Sequence, residues 1–222
     1  MKAIELHNWN VTPTEARDIQ QQLATMVSKK NKINSVRLIA GVDISAPDKN
    51  GKSRAAAVVF SYPELYLIET QTIKKEVTYP YVPGLLSFRE APLILEVCSV
   101  LESDPDIVLV DGQGIAHPRR IGLASHLGLL WNKPTIGCAK SRLCGTYDMP
   151  GIERGDFTYL TDQGEIIGAV VRTRHAVAPV YVSIGHKIDL QGAIDWVLLC
   201  CKGKRLPEPT RFAHMAASNR NN

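Results

Sequence analysis

Two aspartates stand where an ionised carboxylate is costly. Asp43 lies inside the apolar run Leu38-Ile39-Ala40-Gly41-Val42-Asp43-Ile44, and Asp111 ends the run Ile107-Val108-Leu109-Val110. Withdrawing a carboxylate from water costs several kcal/mol, so such groups are usually neutralised, hydrogen-bonded, paired or bound to a metal. Two of them on neighbouring strands can share one cation. Glu90, in Ser87-Phe88-Arg89-Glu90, is a candidate third acid. It competes with a local alternative, because S-x-x-E before an apolar helix is also a capping box, although Pro92 disturbs that helix start. Three oxygen ligands without a cysteine or histidine cluster favour a hard cation, Mg²⁺ or Mn²⁺, over zinc.

Other side chains extend this chemistry. Lys140 ends the apolar segment Thr135-Ile136-Gly137-Cys138-Ala139. There it either stabilises charge on a phosphoryl oxygen or pairs with one of the acids. Gly112-Gln113-Gly114 follows Asp111 and permits close backbone approach. His117, beside Pro118-Arg119-Arg120, is read at a helix start, facing phosphate or serving as a cap or surface residue. In Tyr79-Pro80-Tyr81-Val82-Pro83-Gly84 the prolines stiffen the backbone around one aromatic and one branched side chain. Such a segment is either a rigid connector whose tyrosine packs on the core, or a stiff wedge able to unstack a base step.

The bulk properties narrow the setting. With 222 residues, 45% hydrophobic and 22% charged, the chain suits one large soluble domain. No apolar stretch approaches the roughly 18 residues of a membrane span, and Met1-Lys2-Ala3-Ile4-Glu5-Leu6-His7 does not read as an export signal. Five cysteines without a CxxC pair argue against a disulfide framework or a zinc site; Cys98, Cys138, Cys200 and Cys201 read as core and Cys144 as loop. A net charge of +4 does not mark a nucleic-acid binder by itself. Its distribution says more: Lys202, Lys204, Arg205, Arg211 and Arg220 cluster towards the C-terminus, and Arg119 with Arg120 forms a second basic pair. Both suit a phosphate backbone or a solvated face.

The elements that must position these residues follow from periodicity. Thr12-Pro13-Thr14-Glu15 predicts a capped helix over about 12–30. Three strands, Val36 to Ile44, Ala55 to Phe60 and Leu65 to Ile73, are joined by turn clusters as hairpins. A helix over Ser87 to Leu101, the strand Ile107 to Val110, a helix over Pro118 to Trp131 and the strand Thr135 to Ala139 give the alternation of a parallel sheet. Strands at Ile166 to Thr173 and Val180 to Ile184 precede a helix capped by Asp189 and ended by Gly203. The result is an α/β fold with a ribonuclease H-like mixed sheet, three antiparallel strands plus parallel strands, flanked by helices. Asp111 then ends a parallel strand at the edge where open α/β sheets place ligands.

Taken together, Gly41-Val42-Asp43, Pro80-Tyr81-Val82-Pro83-Gly84, Ser87-Phe88-Arg89-Glu90, Val110-Asp111-Gly112-Gln113-Gly114, His117-Pro118-Arg119, Ala124-Ser125-His126 and Gly137-Cys138-Ala139-Lys140 resemble endonuclease V, the deoxyinosine 3′ endonuclease family. The match runs from about Leu38 to His214 and includes Arg205-Leu206-Pro207-Glu208-Pro209-Thr210-Arg211. The resemblance implies a single domain over 1–222, with a catalytic core at about 36–214 and a polar tail at 215–222. It implies a Mg²⁺-dependent endodeoxyribonuclease, with Mn²⁺ as substitute, that cleaves the second phosphodiester bond 3′ to deoxyinosine. Products would be 3′-hydroxyl and 5′-phosphate ends. Asp43, Asp111 and Glu90 would hold metal, Lys140 would support phosphate chemistry, His117 would help hold substrate, and His214 would act at the metal or position water. Tyr81, flanked by Pro80, Val82 and Pro83, would be the wedge, and Gly84, Gly112, Gly122 and Leu143 would surround the extruded base. Val82 stands where isoleucine is frequent in the family and Gln113 where histidine is frequent. The expected partner is damaged DNA containing deoxyinosine, with inosine-containing RNA the rival substrate and a non-catalytic lesion-binding module the rival class. A monomeric, cytoplasmic protein without membrane contact is expected.

Overall fold

The computed structural model describes residues 1–218. Eight strands form one sheet in the order β3-β2-β1-β4-β5-β8-β7-β6. In chain order they are β1 (Leu38–Ile44), β2 (Lys52–Ser61), β3 (Leu67–Glu76), β4 (Ile107–Val110), β5 (Thr135–Ala139), β6 (Phe157–Asp162), β7 (Glu165–Val171) and β8 (Val180–His186). Five helices accompany them: α1 (Pro13–Ala24), α2 (Leu86–Ser99), α3 (Leu123–Trp131), α4 (Leu190–Leu199) and α5 (Glu208–Ala217). Strands β1, β4 and β5 run parallel, while β1-β2-β3 and β5-β8-β7-β6 are antiparallel. This is the mixed, helix-flanked sheet that the pattern predicts.

The centre of the sheet is buried on both faces. Ile39, Ile107, Leu109, Ile136 and Val182 pack with Ala193, Val197 and Ala213 on one side, while Ala40, Val42, Val108 and Val110 meet Ile94, Val97, Leu127 and Trp131 on the other. Double burial explains why β1, β4 and β5 read as continuous apolar runs rather than alternating ones. No helix among the described residues is long and apolar enough to cross a membrane.

Several boundaries differ from the sequence expectation. The first helix starts as predicted, with Thr12 and Glu15 forming both bonds of the capping box, but it stops at Ala24 rather than near residue 30. The helix expected from Pro118 begins only at Leu123, because His117 to Arg120 close a turn with Arg120 at φ 57°. His117 is therefore not at a helix start. Strand β6 is an addition to the expected strands; its signal is the two-residue loop Gln163-Gly164, both at positive φ, which suits a tight hairpin. Asp189 caps α4 as expected, but the helix ends at Leu199, short of Gly203. Residues 215–217, read as polar tail, belong to α5; residues 219–222 of that tail lie outside the described residues.

Helix α5 lies directly on β1. A Cβ at Gly41 would fall 2.1 Å from the Pro209 carbonyl oxygen, so only glycine admits this approach. That contact brings His214 down onto the strand carrying Asp43.

Candidate metal centre and wedge loop

Parallel register makes the acidic pair. Val42 pairs with Val110, and the Asp111 amide donates to the Val42 carbonyl at 3.2 Å. One residue further along, both strands carry aspartate at the same edge. Asp43, Asp111 and His214 present ligand atoms that all lie within 4.8 Å of one another. The Nδ1 of His214 is 2.7 Å from Asp43 Oδ2, and the other Asp43 oxygen accepts from the Ile44 amide at 2.8 Å. Lys140, whose carbonyl is held by Arg205 at 2.8 Å, extends its ammonium to Asp111 and comes within 3.3 Å of His214 Nδ1. Of the alternatives for Lys140, the ion pair is present.

Glu90 sits outside that compact trio but within its field. Loss of solvent, together with repulsion from Asp43 and Asp111, raises its carboxyl to about 8, and Arg89 offsets this only in part. Loss of solvent and the Asp111 charge also raise Asp43, to about 6, against the lowering effects of His214, Ile44 and Lys140. The local alternative for Glu90 is absent: Leu85 is the N-cap of α2 and makes no side-chain cap bond, while Ser87 is spent on His126 at 3.0 Å. Two carboxylates thus converge on one ammonium and one imidazole, with a third acid in their field. A divalent cation fits this excess, and oxygen donors with a single imidazole suit Mg²⁺ or Mn²⁺.

The proline-bounded loop divides its side chains. Tyr81 is 72% exposed, so it does not pack on the core. Tyr79 and Val82 turn inward instead, against Ala16, Leu85 and Phe88, and Arg89 donates to the Tyr79 carbonyl. Pro80 and Pro83 are exposed on either side of Tyr81. Gly84 ends the loop at φ +77°, a conformation that favours glycine. A cleft of about 560 Å³ beside the loop is lined by Trp9, Tyr79, Pro80, Phe88 and Arg89 among others, and Asp43, Glu90 and Asp111 do not line it. Gly84, Gly112, Gly122 and Leu143 do not line it either. Gly112 follows Asp111, Gly122 caps α3 with its amide on the Gly114 carbonyl at 2.9 Å, and Leu143 is half-exposed beyond β5.

His117 is buried, and both its ring nitrogens are engaged within the chain. Its Nε2 faces the Gly84 carbonyl at 3.1 Å and must donate, while Nδ1 accepts from the Arg119 amide at 3.2 Å. Burial and the Arg119 charge push the ring down to about 4, which keeps it neutral. The basic pair beside it is likewise committed: Arg119 to Gln20 and Gly84, and Arg120 to Asp162 at 3.0 Å and Glu165 at 2.7 Å. Arg205 and Arg211 at the C-terminal cluster are also bound internally, Arg211 to Glu208. These arginines therefore do not form the free basic face their charges suggested. Gln113 donates to the Ser141 carbonyl at 2.9 Å and leaves its own oxygen without a partner.

Sequence reasoning missed two participants. Gln20 is buried on α1 beside Ala16 and Leu23, and a polar residue within that apolar stripe was its signal. Ser87 looked like a cap, and only the fold brings it to His126.

Carboxylates converging at the C-terminal edge of parallel strands, within a ribonuclease H-like sheet and beside a lysine, define an acidic-cluster nuclease site. The comparisons specify which. Residues 21–215 match the Endonuclease V family model. The chain is 50% identical to the endonuclease V of Dehalococcoides mccartyi over 98% of both chains. Among solved structures, the Bacillus subtilis endonuclease V superposes with a TM-score of 0.94 at 31% identity, over 99% of this chain and 96% of that one. The Ciona intestinalis endonuclease V, crystallised with a 24mer DNA containing an inosine followed by a ribo-adenosine, gives a TM-score of 0.80 at 29% identity, over 93% and 95%. The chain belongs to the endonuclease V family. It is an endonuclease, and its acidic cluster fits a metal-dependent one.

Proposed function

We propose that the protein nicks DNA containing deoxyinosine in a Mg²⁺-dependent reaction, hydrolysing the second phosphodiester bond 3′ to the lesion and leaving 3′-hydroxyl and 5′-phosphate ends. The observation that carries this reading is the convergence of Asp43, Asp111 and His214 at the sheet edge of an endonuclease V chain.

Asp43 and Asp111 would hold the cation, with Mn²⁺ as substitute, and Glu90 would lie within its field. Once bound, the ion supplies Lewis-acid polarisation of a phosphoryl oxygen and activation of water. Lys140 then faces the phosphate, where its ammonium stabilises charge developing on oxygen. His214, with Nδ1 2.7 Å from Asp43, would act at the metal or position water. Tyr81, held outward between Pro80 and Pro83 while Val82 anchors the loop, enters the opened duplex. The altered nucleotide turns towards Gly84, Gly112, Gly122 and Leu143. Hypoxanthine lacks the 2-amino group of guanine, so tight walls exclude guanine by size, and its weak pairing lowers the cost of extrusion. His117 serves the substrate through the loop, by way of Gly84.

The test compares wild type with Asp111→Ala on inosine-containing duplex, with and without Mg²⁺. Both should bind, and only the metal-replete wild type should nick. Nicking without metal, or an unimpaired variant, refutes the mechanism. The ribo-adenosine in the Ciona complex makes matched single-inosine RNA the necessary second substrate; faster turnover of RNA would overturn the DNA assignment.

A further inference from the structure

One backbone carbonyl at the end of the wedge loop gathers three donors from two other parts of the chain. The Gly84 oxygen accepts from Gln20 Nε2 at 3.0 Å, His117 Nε2 at 3.1 Å and Arg119 Nη2 at 2.7 Å. Arg119 Nε also donates to Gln20 Oε1 at 2.5 Å, which fixes the amide so that its nitrogen faces the loop. A carbonyl offers two lone pairs, so a third donor crowds it and leaves little freedom. Gln20 is 1% exposed on the buried stripe of α1, where an apolar residue would serve packing better.

The clamp grips the loop three residues from Tyr81, whose own ring meets solvent. Ile19, next to Gln20 on α1, joins the apolar cluster that seats Val82. Helix α1 therefore holds the loop twice, by packing at Val82 and by hydrogen bonding at Gly84. A loop fixed in its working conformation gives up less entropy when it enters a duplex, and that saving appears as affinity for the substrate that is opened.

We infer that Gln20 is a positioning residue for lesion recognition: through the Gly84 carbonyl, with His117 and Arg119, it sets the loop that presents Tyr81. The inference rests on the reading of Tyr81 as the wedge. The full chain and its Gln20→Met, Tyr81→Ala and double variants should be titrated in EDTA with a duplex carrying one inosine and with the same duplex undamaged. Melting temperatures establish that each variant is folded. Gln20→Met should lower the preference for the inosine duplex about fivefold to tenfold, and the double variant should lose no more than about twofold beyond Tyr81→Ala. With Mg²⁺ the loss should appear as a raised KM with a smaller fall in kcat.

A purely structural glutamine would lower the melting temperature and weaken both duplexes alike, and that result overturns the inference. So does full additivity with Tyr81→Ala. An impaired Tyr81→Ala beside an unimpaired Gln20→Met removes this inference alone, whereas an unimpaired Tyr81→Ala removes the wedge reading and this inference with it. Should Gln20→Met melt below the assay temperature, Gln20→Glu carries the same expectation, since it keeps an oxygen for Arg119 and replaces the donor to Gly84 with an acceptor.

Discussion

Glu90 and Ser87 stand one turn apart on α2, yet they belong to polar clusters of opposite character. Glu90 lies in the field of Asp43 and Asp111, and burial together with their charge leaves its carboxyl raised to about 8. Ser87 meets His126, which is fully buried and pushed down to about 3 by burial and by the nearby His7. The second cluster is bonded throughout. His7 Nδ1 donates to the Asn8 carbonyl at 2.8 Å, its Nε2 lies 2.7 Å from His126 Nε2, and His126 Nδ1 lies 3.0 Å from the Ser87 hydroxyl. The two rings form a closed relay, with Trp9 stacked on His126. One cluster is satisfied internally, and the other carries an excess of acid that fits a cation. The difference separates structural burial from functional burial.

The sharpest way to break this contrast is Asp43→Asn. If the acidic cluster serves a cation, the variant should nick about 10³-fold more slowly in single turnover while folding at least as well without metal, because like-charge repulsion is relieved. A metal-free protein that is strongly destabilised by the change would make Asp43 structural and erase the distinction.

The histidine relay should behave the other way. His126→Leu leaves Ser87 and His7 without their partner and is expected to cost about 2 to 4 kcal/mol in urea unfolding. The pH dependence carries the sign. His126 is depressed from 6.5 to about 3, so its contribution is fully present above pH 6.5 and is lost as pH falls towards 3. The penalty for His126→Leu should therefore shrink on acidification; a constant penalty would mean that packing alone is measured.

Glu90→Gln tests the opposite slope. The native carboxyl is raised from 4.5 to about 8, so the folded state holds its proton longer than the unfolded chain does. That stability is fully present below pH 4.5 and is lost as pH rises to about 8. Metal-free wild type should thus lose stability across this window, with Asp43 adding to the fall between 3.8 and about 6. The glutamine variant should overtake it by about 2 to 3 kcal/mol near pH 8, and added Mg²⁺ should restore wild type but not the variant. Parallel curves for the two proteins would show that Glu90 is not held in the field of the aspartates.

The two clusters were unequally legible. Asp43 and Asp111 announce themselves, because a charge inside an apolar strand has few benign explanations, and parallel register carries them to one edge. Glu90 remained divided between ligand and cap until Ser87 proved to be occupied elsewhere. The relay left no local trace: His7 and His126 are 119 residues apart, and neither sits in a pattern that names a partner. The mixed, helix-flanked character of the sheet followed from turn clusters and apolar runs. The late start of α3 did not, since Arg120 adopts a left-handed conformation that its own ties to His117, Asp162 and Glu165 support. Helix α5 was read only as a motif, although it delivers His214; its short apolar face gains meaning from the space that Gly41 leaves for it.

A third polar group sets the lower bound of the comparison. Arg120 bridges Asp162 and Glu165, and Glu165 also holds Lys29 at 2.7 Å, with every member keeping contact with water. Solvent screens these charges and long side chains lose entropy in forming the pairs, so each bond is worth little. Asp162→Asn should change the unfolding free energy by less than about 1 kcal/mol, with the effect fading in high salt. Because Arg120 also fixes the turn that carries His117, a larger loss accompanied by weaker lesion binding would show that the network supports the Gly84 clamp. A small, salt-sensitive loss with binding intact would place it outside both buried clusters.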